Sequence, residues 1–131
     1  MSGITELSEL LASMKPILIE SEFVFCTVTG ELKEYVDLQP KATFIEAEGL
    51  TLILEKKVAE KAQLAFSGSF RQITLTVHSS LEAVGLTAAV SAKLAEHNIS
   101  ANVVAAYYHD HIFVQATKAD AAMIALQSFN A

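Results

Sequence analysis

An α+β fold is predicted by three observations. The chain has 131 residues, of which 52% are hydrophobic, enough for one compact unit or two small ones sharing a core. From Phe70 onward the pattern runs strand, polar turn, helix, strand, strand, helix. An earlier stretch, A-T-F-I-E-A-E-G-L-T-L-I-L-E-K-K-V-A-E-K-A, repeats the strand, acidic turn, strand and helix of V-V-A-A-Y-Y-H-D-H-I-F-V-Q-A-T-K-A-D-A-A-M. Together they predict a ferredoxin-like arrangement of two related halves, permuted or incomplete, with antiparallel sheets and helices on one face.

Along the chain, Ile4, Leu7, Leu10, Leu11 and Met14 recur at helical spacing, so residues 4–14 form an amphipathic helix. Pro16 closes it, because proline disfavours the helical region for the residue before it. Residues 17–19 and 23–28 are short strands, and Thr29-Gly30 breaks the second. Residues 31–41 are a polar linker or a single turn. Strands at 42–47 and 50–54 flank Glu48-Gly49 as a hairpin. A short helix covers 58–64. Ser67-Gly68-Ser69 is the best boundary, dividing the chain into residues 1–67 and 68–131.

In the second half, Ile73, Leu75 and Val77 alternate with Gln72, Thr74, Thr76 and His78, as in a strand with one buried and one polar face. Leu86, Ala89, Val90, Lys93, Leu94 and His97 mark a helix stripe, which Asn98 ends as a left-handed cap. Strands follow at 99–108 and 111–116 around a His109-Asp110 turn. Asp120 starts a last helix that buries Ala119, Ala122, Met123 and Leu126. The unit stops one strand short of a complete ferredoxin-like sheet. An apolar edge left open invites pairing, so the strand must come from residues 16–28 or from another chain. Such edges also predict a homodimer.

Charge and composition exclude several function classes. The net charge of −6 argues against a nucleic-acid partner held by its phosphates. Residues 1–67 hold eleven acids and six bases; residues 68–131 hold four and three, so the second half exposes less charge. Cys26 is the only cysteine and sits in an apolar run, as a small hydrophobe in a reduced, cytoplasmic setting. The start of the chain lacks a secretory pattern, and no apolar run is long enough to span a membrane. The elbow G-x-S-x-G and the phosphate-loop glycine pattern are absent, so no enzyme is expected.

V-H-S-S-L-E-A-V-G-L-T-A-A-V-S, followed by I-S-A-N-V-V-A-A-Y-Y-H-D-H-I-F-V, resembles a family of small bacterial ACT-domain proteins. E-F-V-F-C-T-V and A-T-F-I-E-A-E-G-L-T-L-I-L resemble that family's N-terminal part, so the resemblance covers nearly the whole chain. It implies regulatory modules of amino-acid metabolism, such as those of aspartate kinase, which pair side by side and bind amino acids at the seam. It also implies a ligand loop from His78 to Leu86, with Gly85 as its glycine and a contribution from residues 99–103. Two departures stand out. The aspartate common at the end of the first strand is replaced by His78 or Ser79, and the first half lacks a convincing first helix.

The chemistry of that loop suits a small amino acid and needs no cofactor. Backbone N–H groups at Val84, Gly85, Leu86 and Thr87 would receive the carboxylate, and Gly85 lets the backbone approach. Ser79 and Ser80 would add hydroxyls, while Glu82 or the Asn102 side-chain oxygen would accept from the ammonium. Two or three charge-assisted bonds of about 1.5–3 kcal/mol each, less ordering costs, give an affinity in about the micromolar range. Ordinary helix capping by Ser79 and Ser80 is the alternative, leaving a purely structural assembly module. A metal site through His78, His109 and His111 is a further alternative. Tyr107 and Tyr108, alternating across a strand, are expected in the core or an interface.

Overall fold

The computed structural model describes residues 6–77 and 85–130. The chain forms two compact units, one comprising the chain up to Glu20 together with Arg71 onward, the other Ser21–Phe70. Helix α1 (Leu7–Ser13) leads into strand β1 (Lys15–Val28), which contributes to both units.

In the first unit, β1 is followed across the sheet by β4 (Phe70–Thr76), β6 (Asp110–Gln115) and β5 (Asn102–Ala105). The strand expected from residues 16–28 is therefore supplied within the chain. Arg71 donates to the Ile19 carbonyl from Nε (3.0 Å) and Nη2 (2.7 Å), and the Thr76 hydroxyl donates to the Lys15 carbonyl (2.6 Å). The later residue of β4 meets the earlier residue of β1, so the two strands run antiparallel. Two expected short strands become one because Glu20, Ser21 and Glu22 include neither glycine nor proline to break the strand. Pro16 falls near the start of β1, where its missing N–H costs least.

Helices α1, α3 (Leu86–Glu96) and α4 (Ala119–Gln127) cover one face of this sheet. Ile73, Leu75, Val77, Ile112 and Val114 meet Leu10, Met14, Leu86, Val90, Leu94, Ala122 and Leu126 in one buried cluster. The opposite face carries Gln72, Thr74 and His111. As expected, Asn98 closes α3 in the left-handed region (φ 59°), and the Ile99 N–H returns to the Leu94 carbonyl at 3.0 Å. That closure shortens the following strand. Ile99 is buried against the helices, and only Asn102–Ala105 pair with β6. A turn then places the Ala106 N–H on the His109 carbonyl (3.1 Å).

The same turn removes the tyrosines from the strand and the core, and leaves the interface alternative. Tyr107 and Tyr108 lie in that turn, not in a strand, and are 72% and 66% exposed, stacked edge-on at 5.1 Å. Neither is a core residue.

In the second unit, β2 (Ala42–Glu46), β3 (Gly49–Glu55) and the last part of β1 are antiparallel neighbours in that order. Val24, Cys26 and Val28 alternate with Leu50, Leu52 and Leu54 over Ala59 of α2 (Lys56–Lys61). The place of a first helix holds two single 3₁₀ turns, Leu32–Glu34 and Val36–Leu38, as the poor helical pattern implied. Tyr35 and Leu38 pack from these turns onto the core.

Candidate functional site

The candidate site lies in the first unit, where β4 gives way to α3. Alternation sends Ile73, Leu75 and Val77 into the core, and the Val77 N–H folds back on the Leu75 carbonyl (2.9 Å) as the strand ends. His78, Ser79, Ser80, Glu82 and Val84 lie outside the described residues. Gly85 holds φ 101°, a left-handed conformation that favours glycine. A Cβ there would also meet Leu7 Cδ2 at 3.1 Å.

Gly85 is the N-cap of α3 and brings no side-chain oxygen to cap it. The first intrahelical bond runs from the Ala89 N–H to the Gly85 carbonyl (2.9 Å), so Leu86, Thr87 and Ala88 contribute first-turn amides. The Leu86 side chain is anchored in the core. These amides give α3 the positive end of its dipole.

The β5–β6 turn borders the same strand end. His109 Nδ1 lies 3.3 Å from the Val77 carbonyl and, if it carries the ring proton, donates to it. Asp110 opens β6 opposite Ala105. Burial pushes its carboxyl above the ordinary value, and the neighbouring His111 and His109 draw it part of the way back. Sequence reasoning treated His109-Asp110 as a turn and a metal candidate; the register that puts Asp110 at a strand start was legible only from the pairing.

His111 points to the other face. Gln72 Nε2 donates to the Thr74 hydroxyl (3.0 Å), which lies 3.0 Å from His111 Nδ1, with Gln72 Nε2 itself 3.2 Å away. If Nδ1 carries no proton, it accepts from both groups. Gln72 Oε1 is buried without a partner among the described residues. His109 and His111 thus serve different faces. Among the described residues no group of three or more His, Cys, Asp or Glu side chains is arranged for a metal. Asn102 lies at the start of β5, and its Nδ2 donates to the Phe113 carbonyl (3.1 Å).

The second unit has a matching turn with a different solution. Gly30, at φ 98°, also follows a strand end. Here the Glu31 N–H donates to Glu34 Oε2 (2.8 Å), and the Glu31 carboxylate accepts from the Glu34 backbone in a reciprocal cap. The Tyr35 hydroxyl takes the Thr29 carbonyl (2.5 Å). A cavity of about 280 Å³ beside this turn is lined by Leu32, Ile45 and Leu50, with Glu31 and Glu46 as its charged groups. Carboxylates of the chain already fill the donors there, and no cation lines the space.

Comparison with known proteins agrees with this fold. One ACT-domain family model matches residues 2–71 and a second matches residues 68–128. No match is found among curated proteins. A Vibrio cholerae protein of unknown function, described as a possible transport protein, is 59% identical with a TM-score of 0.90, over 99% of this chain and 100% of that one. An Agrobacterium tumefaciens protein superposes with a TM-score of 0.74 at 12% identity, covering 89% of each chain. The regulatory subunit of aspartate kinase from Thermus flavus gives 0.65 at 7% identity, over 88% of this chain and 96% of that one. At such low identity the last two show the fold alone. With its ferredoxin-like units and two successive matches, the chain belongs to the ACT-domain family and carries two ACT domains in tandem.

Proposed function

We propose that this protein is a non-enzymatic regulatory sensor that binds a small amino acid at the turn between β4 and α3. The observation that carries the reading is Gly85: a left-handed N-cap without a side chain, opening an 11-residue helix beside a strand end. The first-turn amides suit a carboxylate, which is stabilised at a helix N-terminus. Ser79, Ser80, Glu82, Val84, Gly85 and Leu86 are the residues assigned to the ligand, with Asn102, which pairs with Phe113 on the face away from α3, contributing from a second copy. The contrast with Gly30 supports the choice of half, since the second unit answers the same need with its own glutamates.

Membership in a family of regulatory domains favours a sensor over an enzyme. Regulation requires that the ligand favour one state over another, and assembly as a homodimer is the simplest state to bias. A cytoplasmic setting fits the lone reduced cysteine, buried in the second unit's core. The test is a thermal-denaturation screen of the common amino acids at millimolar concentration. A specific ligand raises Tm in proportion to occupancy. No rise with any of them would leave an assembly module as the reading.

A further inference from the structure

The amino-acid reading leaves one half of the ligand without a charged partner among the described residues. First-turn amides of α3 answer a carboxylate, but an ammonium group needs a fixed acceptor, preferably an anion. Strand β4 ends at Thr76, and neither Thr76 nor Val77 is an acid. The neighbouring strand brings one.

Asp110 pairs with Ala105, one residue beyond the pair Val104 and His111 and two beyond Val103 and Ile112. Ile112 and Val114 both face the helices. Side chains alternate along a strand, so Asp110 faces the helices too. It stands at the end of β6 nearest the Val77 end of β4, as the contact of His109 with the Val77 carbonyl requires. That end and that face are where α3 begins, with Leu86 packed in the same cluster as Val77 and Ile112. The Asp110 carboxyl is partly buried, and His111 and His109 act on its charge. Burial holds its carboxyl above the ordinary range, so an incoming cation would relieve a cost already present in the fold.

We propose that Asp110 accepts the ammonium group of an amino acid bound beside Gly85, and so distinguishes an amino acid from the same acid without its amine. This rests on the amino-acid reading above. A zwitterion would then lie between two fixed features of one sheet end, its carboxylate toward the first turn of α3 and its ammonium toward β6. An acceptor on the third strand of the unit replaces the acid missing from the end of the first.

Paired probes test this: alanine against propionate, aspartate against succinate, leucine against 4-methylpentanoate, each titrated by calorimetry into the full chain and into Asp110→Asn. The amino acid that raises the wild-type Tm should bind Asp110→Asn about 10–100-fold more weakly, the loss of one charge-assisted bond. Its deaminated partner should bind both proteins equally. Asp110→Ser, with unliganded melting as the folding control, guards against a fault peculiar to the amide. A wild-type response that both variants retain within twofold overturns the role of Asp110 and leaves the amino-acid reading standing. No response of the wild type to any amino acid removes that reading and the role of Asp110 with it.

Discussion

Asn130 reaches across the fold to Met14: its side-chain Nδ2 donates to the Met14 carbonyl at 2.7 Å, from 116 positions later in the chain. The same nitrogen lies 3.3 Å from the Leu11 carbonyl and 3.2 Å from that of Ala12. The last carbonyls of α1 have no partners within the helix, and this amide supplies them. The seven-residue helix is too short to persist alone, so its order comes from this cap and from the burial of Leu10 and Met14.

Asn130→Ala is therefore expected to lower stability by about 1–2 kcal/mol, the cost of leaving partly buried carbonyls unpaired. Urea denaturation with an unchanged slope would register it as a shift in midpoint. Asn130→Asp should be worse than the alanine variant, because it turns a donor into a charge facing carbonyl oxygens at a helix C-terminus.

Gly85→Ala should cost about 1–3 kcal/mol, since a residue with a Cβ is strained at φ 101° and the added carbon would meet Leu7 at 3.1 Å. Trimming the neighbour in a Leu7→Ala, Gly85→Ala double variant should not restore the loss, because the backbone strain remains. Full rescue by Leu7→Ala in the melting temperature would show that crowding alone was at fault.

The reciprocal cap in the second unit is separable from the Gly85 turn in the first. Glu34→Ala removes the acceptor of the Glu31 N–H and the packing over Gly30, and should destabilise by about 0.5–2 kcal/mol. Amino-acid binding at the Gly85 turn should be unaffected, as read by the affinity of the same ligand before and after the substitution.

The pH dependence of stability should carry the mark of Asp110. Its carboxyl titrates above its unfolded value of 3.8 in the folded chain, so the folded state holds the proton more tightly. The resulting stabilisation is complete below the unfolded value and is lost as pH rises through the folded one. Asp110→Asn, which cannot ionise, should gain on the wild type as pH is raised from acid to neutral. A constant gap between the two unfolding curves across that range would contradict the burial of this carboxyl.

Periodicity and turn chemistry carried much of this architecture in plain view. The alternation of Ile73, Leu75 and Val77, the stripe of Leu86, Val90 and Leu94, and the left-handed Asn98 are local properties, and each stands in the structure where its residue types require. Strand limits were less legible. Nothing local in Ile99–Tyr108 says that Ile99 belongs to a helix closure and Tyr107 to a turn, because both residue types also suit strands.

The amino-acid sequence alone thus determined the order of helices and strands, though not their limits, and the glycine that opens α3, since each depends on residues within a few positions of one another. Only the tertiary structure decided that the start of β1 completes the sheet beside β4, that Asn130 closes α1, and that Asp110 faces the helices near Val77. Those relationships join residues far apart in the chain. They follow from strand register and from the burial of one shared apolar face, which no short window of sequence contains.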